Sequence, residues 1–245
     1  GWSLLRWLGY LCLYRSILDK LGLLKVKVAF SGSAPIAPEI LKFYRSIGLK
    51  ISEVYGQTEG SGVSHIHHGH ETKVGSVGKP LPGVECRLSE DGEITTKSPM
   101  LFAGYYKDPG ATQAVRGDGW LHSGDVGLLD DAGYLYITDR KKDIIITSGG
   151  KNVAPSEIEN RIKCSPYINE AIVIGDGRPY LVALIQIEYE TVSKWAQDRN
   201  IAFTTFKSLA QNPLVYELIE REVEEANKEF SRVEGIKKFV LLDKQ

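Results

Sequence analysis

Five consecutive residues, Tyr55-Gly56-Gln57-Thr58-Glu59, put an aromatic face, a backbone step without Cβ, a hydroxyl and a carboxylate into one short stretch. That set suits a nucleotide carried with magnesium, which needs a ring to stack on, a donor for phosphate oxygens and an oxygen ligand for a hard cation. Taken alone, the same residues also read as a strand-end turn with a helix cap. Downstream, Gly119-Trp120-Leu121-His122-Ser123-Gly124-Asp125 sets a carboxylate after a Ser-Gly turn. A carboxylate can accept both hydrogen bonds of vicinal ribose hydroxyls, which makes Asp125 the ribose candidate. Thr138-Asp139-Arg140-Lys141-Lys142-Asp143 then offers a guanidinium and two ammonium groups beside carboxylates, and Ser148-Gly149-Gly150-Lys151-Asn152 follows it. Such a segment could carry phosphate or sugar contacts.

These groups need a scaffold that brings distant loops to one place. Residues 25–30 alternate charged and apolar side chains as a strand does, and Ser31-Gly32-Ser33-Ala34-Pro35 breaks the run into a small-residue loop. A helix is expected next, with Pro38 and Glu39 in its first turn, Ile40, Leu41, Tyr44 and Ile47 along one side, and Gly48 to end it. A second strand, 50–54, runs into the Tyr55–Glu59 loop, so two successive strands deliver polar loops in the same sense, where open α/β sheets bind ligands. From 75 to 139, turn signals at Pro82-Gly83, Asp91-Gly92, Asp118-Gly119 and Asp131-Ala132-Gly133 punctuate short β-like runs. Gly75-Ser76-Val77-Gly78-Lys79-Pro80 is read as a turn entering this region, because Pro80 removes a donor that a phosphate loop would need. Beyond 141 the pattern is α+β: a strand at 144–147, a helix opened by Pro155, a β pair around Gly175-Asp176-Gly177 and a long helix at 213–230. Leu214, Leu218, Ile219, Val223, Ala226 and Phe230 mark the inner face of that helix, and its glutamates the wet one.

Composition narrows the class. With 30 basic and 31 acidic side chains interspersed along 245 residues, there is no electrostatic footprint of a nucleic-acid binder. Cys12, Cys86 and Cys164 are odd in number and far apart, which argues against a disulfide framework or a zinc knuckle and favours a cytoplasmic setting. The opening 2–24 is rich in Leu, Trp and Tyr, with Leu4, Leu8, Leu11, Ile17, Leu18 and Leu21 near helical spacing. Arg6, Arg15, Asp19 and Lys20 interrupt it before a membrane-spanning length, and peripheral contact with a membrane surface is left open. His65, His67, His68 and His70 are read as part of a solvated loop, since they lack the spacing of a zinc motif.

Five stretches, 31–36, 55–59, 77–85, 120–127 and 138–159, resemble in order and spacing the adenylate-forming superfamily of acyl-CoA synthetases, luciferases and peptide-synthetase adenylation domains. The tail, from Cys164-Ser165-Pro166-Tyr167 through Trp195-Ala196 to Gly235-Ile236-Lys237-Lys238-Phe239, resembles long-chain fatty acyl-CoA synthetases. The resemblance implies a mixed α/β and α+β architecture. Residues 1–140 would be the end of a large AMP-binding domain, an α/β sheet with a β-rich subdomain at about 75–139, and 141–245 a small mobile C-terminal domain. It implies ATP, magnesium and coenzyme A, a fatty acid as substrate, and an acid-thiol ligase reaction through acyl-AMP. Gly32, Ser33 and Ala34 would flank the adenine, Tyr55 with Gly56 beside it would stack on it, Thr58 would touch phosphate and Glu59 would help hold magnesium. Asp125 and Arg140 would grip the ribose, so that Thr58, Glu59 and Arg140 form the implied catalytic set. Lys142 would be the hinge, and Ser148, Gly149 and Gly150 would lie near the pantetheine arm of coenzyme A.

Two features of the family pattern are not matched. No Ser/Thr/Gly-rich phosphate loop ending in Lys occurs in the sequence, and neither does the Gly-Lys pair that the family carries close to its C-terminus; Lys237, Lys238 and Lys244 lack the Gly partner. The expectation is therefore a C-terminal, inactive piece of a longer enzyme. The other readings are an adenylation domain that loads a carrier protein and a non-catalytic nucleotide-binding module.

Overall fold

The computed structural model describes residues 7–68 and 72–244, and the chain falls into two compact units, Gly1–Ile137 and Thr138–Gln245.

In the first unit, a π-helical turn, Tyr10–Tyr14, runs into helix α1 (Arg15–Lys20). Leu18 is buried with Ile47 and Leu49, while Trp7, Leu8, Leu11 and Leu13 are exposed; Leu4 lies outside the described residues. Among the described residues no helix is long and apolar enough to cross a membrane. Strand β1 (Ala29–Ser31), helix α2 (Pro38–Ser46) and strand β2 (Ile51–Glu53) follow in the order the sequence predicts. β1 and β2 are parallel, with Ala29 opposite Ile51 and Ser31 opposite Glu53, and Val54 N–H donates to Ser31 O at 2.9 Å. The loops after the two strands therefore leave from the same edge.

Strands β3 (Tyr55–Gln57), β4 (Gly62–Ile66) and β5 (Lys79–Pro80) form an antiparallel sheet. Gly56 is needed there for space: a Cβ on it would stand 1.9 Å from the Gly62 carbonyl oxygen. Gly78 backs onto the Ile66 carbonyl in the same way at a φ of +87°, which fixes the turn before β5. The β-rich region folds as β6 (Glu85–Leu88), β7 (Glu93–Lys97), β8 (Leu121–Leu129) and β9 (Leu135–Arg140) in that spatial order. Val77, Ile94 and Leu135 form its core, with Tyr55, Cys86, Leu88 and Ile137 packed around them. Burial raises the Cys86 thiol pKa to about 11, so this cysteine is an inert packing group.

Two expectations for this unit are corrected. Helix α3 (Pro109–Arg116) lies within the region read as β-rich, where only short β-like runs were named. Its signal was present, since Asp108 accepts from Ala111 N–H at 2.9 Å as an N-cap and Pro109 opens the first turn. The histidines are not a solvated loop: His65 and His67 are buried, one within β4 and one just past it. His68 is exposed, and His70 lies outside the described residues.

The second unit opens with the hairpin β10 (Ile145–Ile146) and β11 (Asn152–Val153), shorter than the predicted strand at 144–147. Helix α4 (Pro155–Ile162) follows, and the buried Asp139 accepts from Ser156 N–H at 3.0 Å and from Ser156 Oγ at 2.9 Å. This carboxylate substitutes for a cap that Ala154, at the N-cap position, has no side chain to provide. Strand β13 (Leu181–Ile187) is central, antiparallel to β12 (Ile168–Ile174) and parallel to β14 (Ile236–Leu241). Its Leu181, Ala183, Ile185 and Ile187 point with period 2 into one core shared with α4, α5 (Tyr189–Gln197), α6 (Phe206–Ala210) and α7 (Pro213–Asn227).

Helix α7 buries Val215, Leu218, Ile219, Val223 and Ala226. Leu214, assigned to that face from the sequence, is instead exposed: at the second helical position it sits beside the stripe, and Val215 takes the inward place. The contrast gives a direct check. Ile185→Ala should lower unfolding free energy by about 2–5 kcal/mol, whereas Leu214→Ala should change it by no more than about 0.5 kcal/mol, both read from urea denaturation followed by circular dichroism.

Candidate nucleotide site

The loop after β1 is exposed at Gly32, Ser33 and Ala34. Ser33 is held at a φ of +71°, and a Cβ on Gly32 would press on Val54 at 3.0 Å, so the loop lies close against the segment that leads into β3. Small residues here keep the backbone accessible to a flat ring.

Tyr55 heads β3 with its ring half-buried against the Val77, Ile94 and Leu135 core. Its hydroxyl donates to Asp125 Oδ2 at 2.6 Å, the length of a charge-assisted bond. Residues seventy positions apart thus present an aromatic face and a buried carboxylate side by side. The geometry comes from a bulge in β8. Glu93 pairs with Val126 and Thr95 with His122, so two residue steps on β7 face four on β8. The three residues opposite Ile94, Ser123-Gly124-Asp125, leave the regular ladder, with Gly124 at a φ of +71°. Side chains supply the missing partners: Ser123 Oγ donates to Ile94 O at 2.6 Å, Asp125 N–H donates to Ser123 Oγ at 3.0 Å, and Gly124 N–H donates to Glu93 Oε1 at 2.9 Å.

Thr58 and Glu59 occupy a single 3₁₀ turn, Thr58–Gly60, closed by Ser61 N–H donating to Thr58 O at 3.0 Å with Ser61 in the left-handed region. Thr58 is exposed. Glu59 is tied from the side by a segment the sequence reading missed. Tyr105 Oη donates to Glu59 Oε1 at 2.7 Å, and Phe102 N–H donates to Glu59 O at 2.8 Å. The hydrogen bond to that carboxylate raises the Tyr105 pKa, since it favours the protonated phenol. Among the described residues no three His, Cys, Asp or Glu gather as a metal cage. A half-exposed lone carboxylate fits magnesium, which commonly takes one or two carboxylates with substrate phosphates and water.

In the second unit, Arg140 is exposed at the end of β9, with its N–H donating to Asp139 Oδ1 at 2.8 Å. Asp143 and Ile144 N–H both donate to Arg140 O, at 3.0 and 3.1 Å, so Lys141, Lys142 and Asp143 form one tight exposed turn. Ser148, Gly149 and Gly150 are the exposed tip of the β10–β11 hairpin. Gly150 N–H donates to Thr147 O at 2.8 Å and Ser148 N–H to Arg178 O at 3.0 Å, and Gly150 needs its φ of +78°. Lys151 is anchored to Glu234 and Ser231, each at 2.9 Å, which fixes the base of the tip.

The chain thus combines exposed small loops at parallel strand ends with an aromatic–carboxylate pair, followed by a separate α+β unit. A family model described as AMP-binding enzyme matches residues 13–106, and one described as AMP-binding enzyme C-terminal domain matches residues 142–244. The chain belongs to this adenylate-forming family. Within it, the similarity is to long-chain fatty-acid–CoA ligases. The long-chain-fatty-acid–CoA ligase FadD15 of Mycobacterium tuberculosis is 40% identical over 217 residues, covering 88% of this chain and 36% of that protein. The peroxisomal long chain acyl-CoA synthetase 7 of Arabidopsis thaliana is 33% identical, covering 88% of this chain and 33% of its own length. The chain thus spans about a third of the curated relatives it matches. Among solved structures, the o-succinylbenzoate CoA synthetase of Bacillus subtilis with ATP and magnesium superposes with a TM-score of 0.66 at 25% identity, over 94% of this chain and 46% of that one. The adenylation domain of a Mycobacterium chelonae carboxylate reductase, at 24% identity and a TM-score of 0.72 over 94% of this chain and 35% of that one, shows the same fold.

His65 lies against Tyr55, with ring centroids 5.8 Å apart, Nδ1 2.9 Å from Ser64 Oγ and a buried Nε2 without a hydrogen-bond partner. Burial pushes its pKa down to about 4. Between the unfolded value of about 6.5 and about 4 the unfolded chain binds the extra proton, so stability is full above that window and falls as pH drops through it. The loss should reach about 3 kcal/mol and be much reduced in His65→Gln, measured as the urea midpoint from pH 7 to pH 4.

Proposed function

We propose that the whole protein activates a fatty acid with ATP and passes it to coenzyme A. In the first step a carboxylate oxygen attacks the α-phosphorus of ATP, the bond to pyrophosphate breaks, and acyl-AMP forms. In the second, the thiol sulfur of coenzyme A attacks the acyl carbon, the bond to AMP breaks, and the thiol proton is lost. The first step is required because a carboxylate repels nucleophiles, whereas its mixed anhydride with AMP has a good leaving group.

The observation that carries the reading is the Tyr55–Asp125 pair, which offers a ring and a carboxylate 2.6 Å apart at their polar ends. The ring face suits adenine, and the second carboxylate oxygen of Asp125 suits the ribose hydroxyls. Backbone groups of Gly32, Ser33 and Ala34 border the base, Gly56 lets β3 and β4 approach, and the Thr58 hydroxyl donates to phosphate. Glu59 would hold magnesium, whose charge offsets that building on phosphate oxygens during transfer. Arg140 completes the ribose contacts, residues 141–245 move about Lys142 between the two steps, and the Ser148–Gly150 tip borders the pantetheine arm without a side chain at the glycines. The identities to long-chain fatty-acid–CoA ligases support the choice of acid and of coenzyme A as acceptor.

Because the chain spans about a third of those relatives, nucleotide binding is the property expected of these 245 residues and turnover that of the whole protein. Calorimetric titration of this chain with a non-hydrolysable fatty acyl-adenylate analogue and magnesium should give saturable binding, weakened about 10- to 100-fold in Asp125→Ala by the lost hydrogen bonds to a charged group. Equal affinity of Asp125→Ala and wild type would overturn the reading.

A further inference from the structure

Glu93 is a buried carboxylate that the reading above does not use; its residue is 7% exposed. It stands on β7 immediately before the place where β8 bulges, after Gly92 at a φ of +80°, whose carbonyl accepts from Gly127 N–H at 3.1 Å. The pairing of Glu93 with Val126 therefore closes one end of the bulge and that of Thr95 with His122 the other. Inside it, the Gly124 N–H is met by a side chain. Glu93 Oε1 accepts that hydrogen at 2.9 Å, while its Oε2 lies 3.6 Å from His122 Nδ1, and His122 Nε2 lies 3.4 Å from Asp118.

We propose that Glu93 is a positioning residue for Asp125, acting through the Gly124 amide to hold the left-handed turn that aims the carboxylate at the ribose. A buried charge is retained only where polar partners compensate its desolvation. Here one compensating partner is the Ser123–Gly124 peptide unit, which precedes the Gly124 Cα, so rotation of that unit changes the turn at Gly124 and with it the placement of Asp125. Tyr55 restrains the same side chain from its tip through Oδ2, and Ser123 restrains the bulge from the other flank. Remove Glu93 and the Gly124 N–H loses this acceptor, a loss that reorienting the turn toward water would relieve. The proposal rests on the ribose reading of Asp125 and adds a residue that touches no ligand.

The test compares AMP with 2′,3′-dideoxy-AMP, which lacks the hydroxyls Asp125 would bind, on wild type, Glu93→Ala and Glu93→Gln of this chain. Glu93→Gln keeps an oxygen to accept from Gly124. Wild type should prefer AMP by about 10-fold or more. Glu93→Ala should lose most of that preference while binding the dideoxy compound as wild type does, and Glu93→Gln should restore it to within about threefold. Amide exchange at Gly124, followed by NMR without ligand, should quicken in Glu93→Ala and stay slow in Glu93→Gln, a readout independent of any nucleotide. If Glu93→Ala keeps the full preference, or weakens both nucleotides equally, or leaves Gly124 exchange unchanged, Glu93 does not position Asp125. If wild type itself shows no preference between the two nucleotides, the ribose reading fails whatever Gly124 does.

Discussion

A carboxylate that must meet a ligand cannot be left free to turn, and it cannot be buried without partners. On the proposed ribose role, the bulge in β8 reconciles these demands at Asp125. The residues that leave the ladder expose polar backbone inside the sheet, and each exposed group is then met by a side chain: Gly124 by Glu93, and the Ile94 carbonyl and Asp125 N–H by Ser123. Tyr55, from another sheet, holds the tip of the carboxylate. Its ring reaches that place because Val77, Ile94 and Leu135 give it an apolar wall, and because Gly56 lets β3 lie against β4 without a Cβ between them. Core packing and site geometry are one set of contacts in this unit.

In the second unit, the large core around β13 takes in Ile145 and Val153 of the hairpin that carries the Ser148–Gly150 tip. The exposed turn at Lys141–Asp143 is closed by the Asp143 and Ile144 N–H groups on the Arg140 carbonyl. The Ser148–Gly150 tip is tied to Thr147, Arg178 and, through Lys151, to Ser231 and Glu234. A tip held this firmly can present bare backbone without collapsing on itself.

Local chemistry made much of this legible in the sequence. Pro38, Pro109, Pro155 and Pro213 all open helices, and Gly92, Gly133 and Gly177 all sit at positive φ in turns. The candidate residues Tyr55, Glu59 and Asp125 were readable because aromatic, carboxylate and glycine fall together in short loops. Their partners were not. Tyr105 reaches Glu59 across 46 positions and Glu93 reaches Gly124 across 31, and neither spacing leaves a periodic trace. His65 and His67 were misread for a related reason: four histidines in six residues look solvated, and only the packing of β4 against Tyr55 and Ser76 shows two of them to be interior. Helix α3 was missed although Asp108-Pro109 announced it, because the surrounding turn signals suggested strands throughout.

The central claim is that β3 and the bulge of β8 together form the ribose and adenine end of a nucleotide site. A crystal structure of this chain with AMP tests it most directly. The account predicts the adenine against the Tyr55 ring and both ribose hydroxyls within hydrogen-bond distance of the Asp125 carboxylate, with the Tyr55–Asp125 bond kept. AMP bound elsewhere on the chain, with no ribose hydroxyl within hydrogen-bond distance of Asp125, would contradict it.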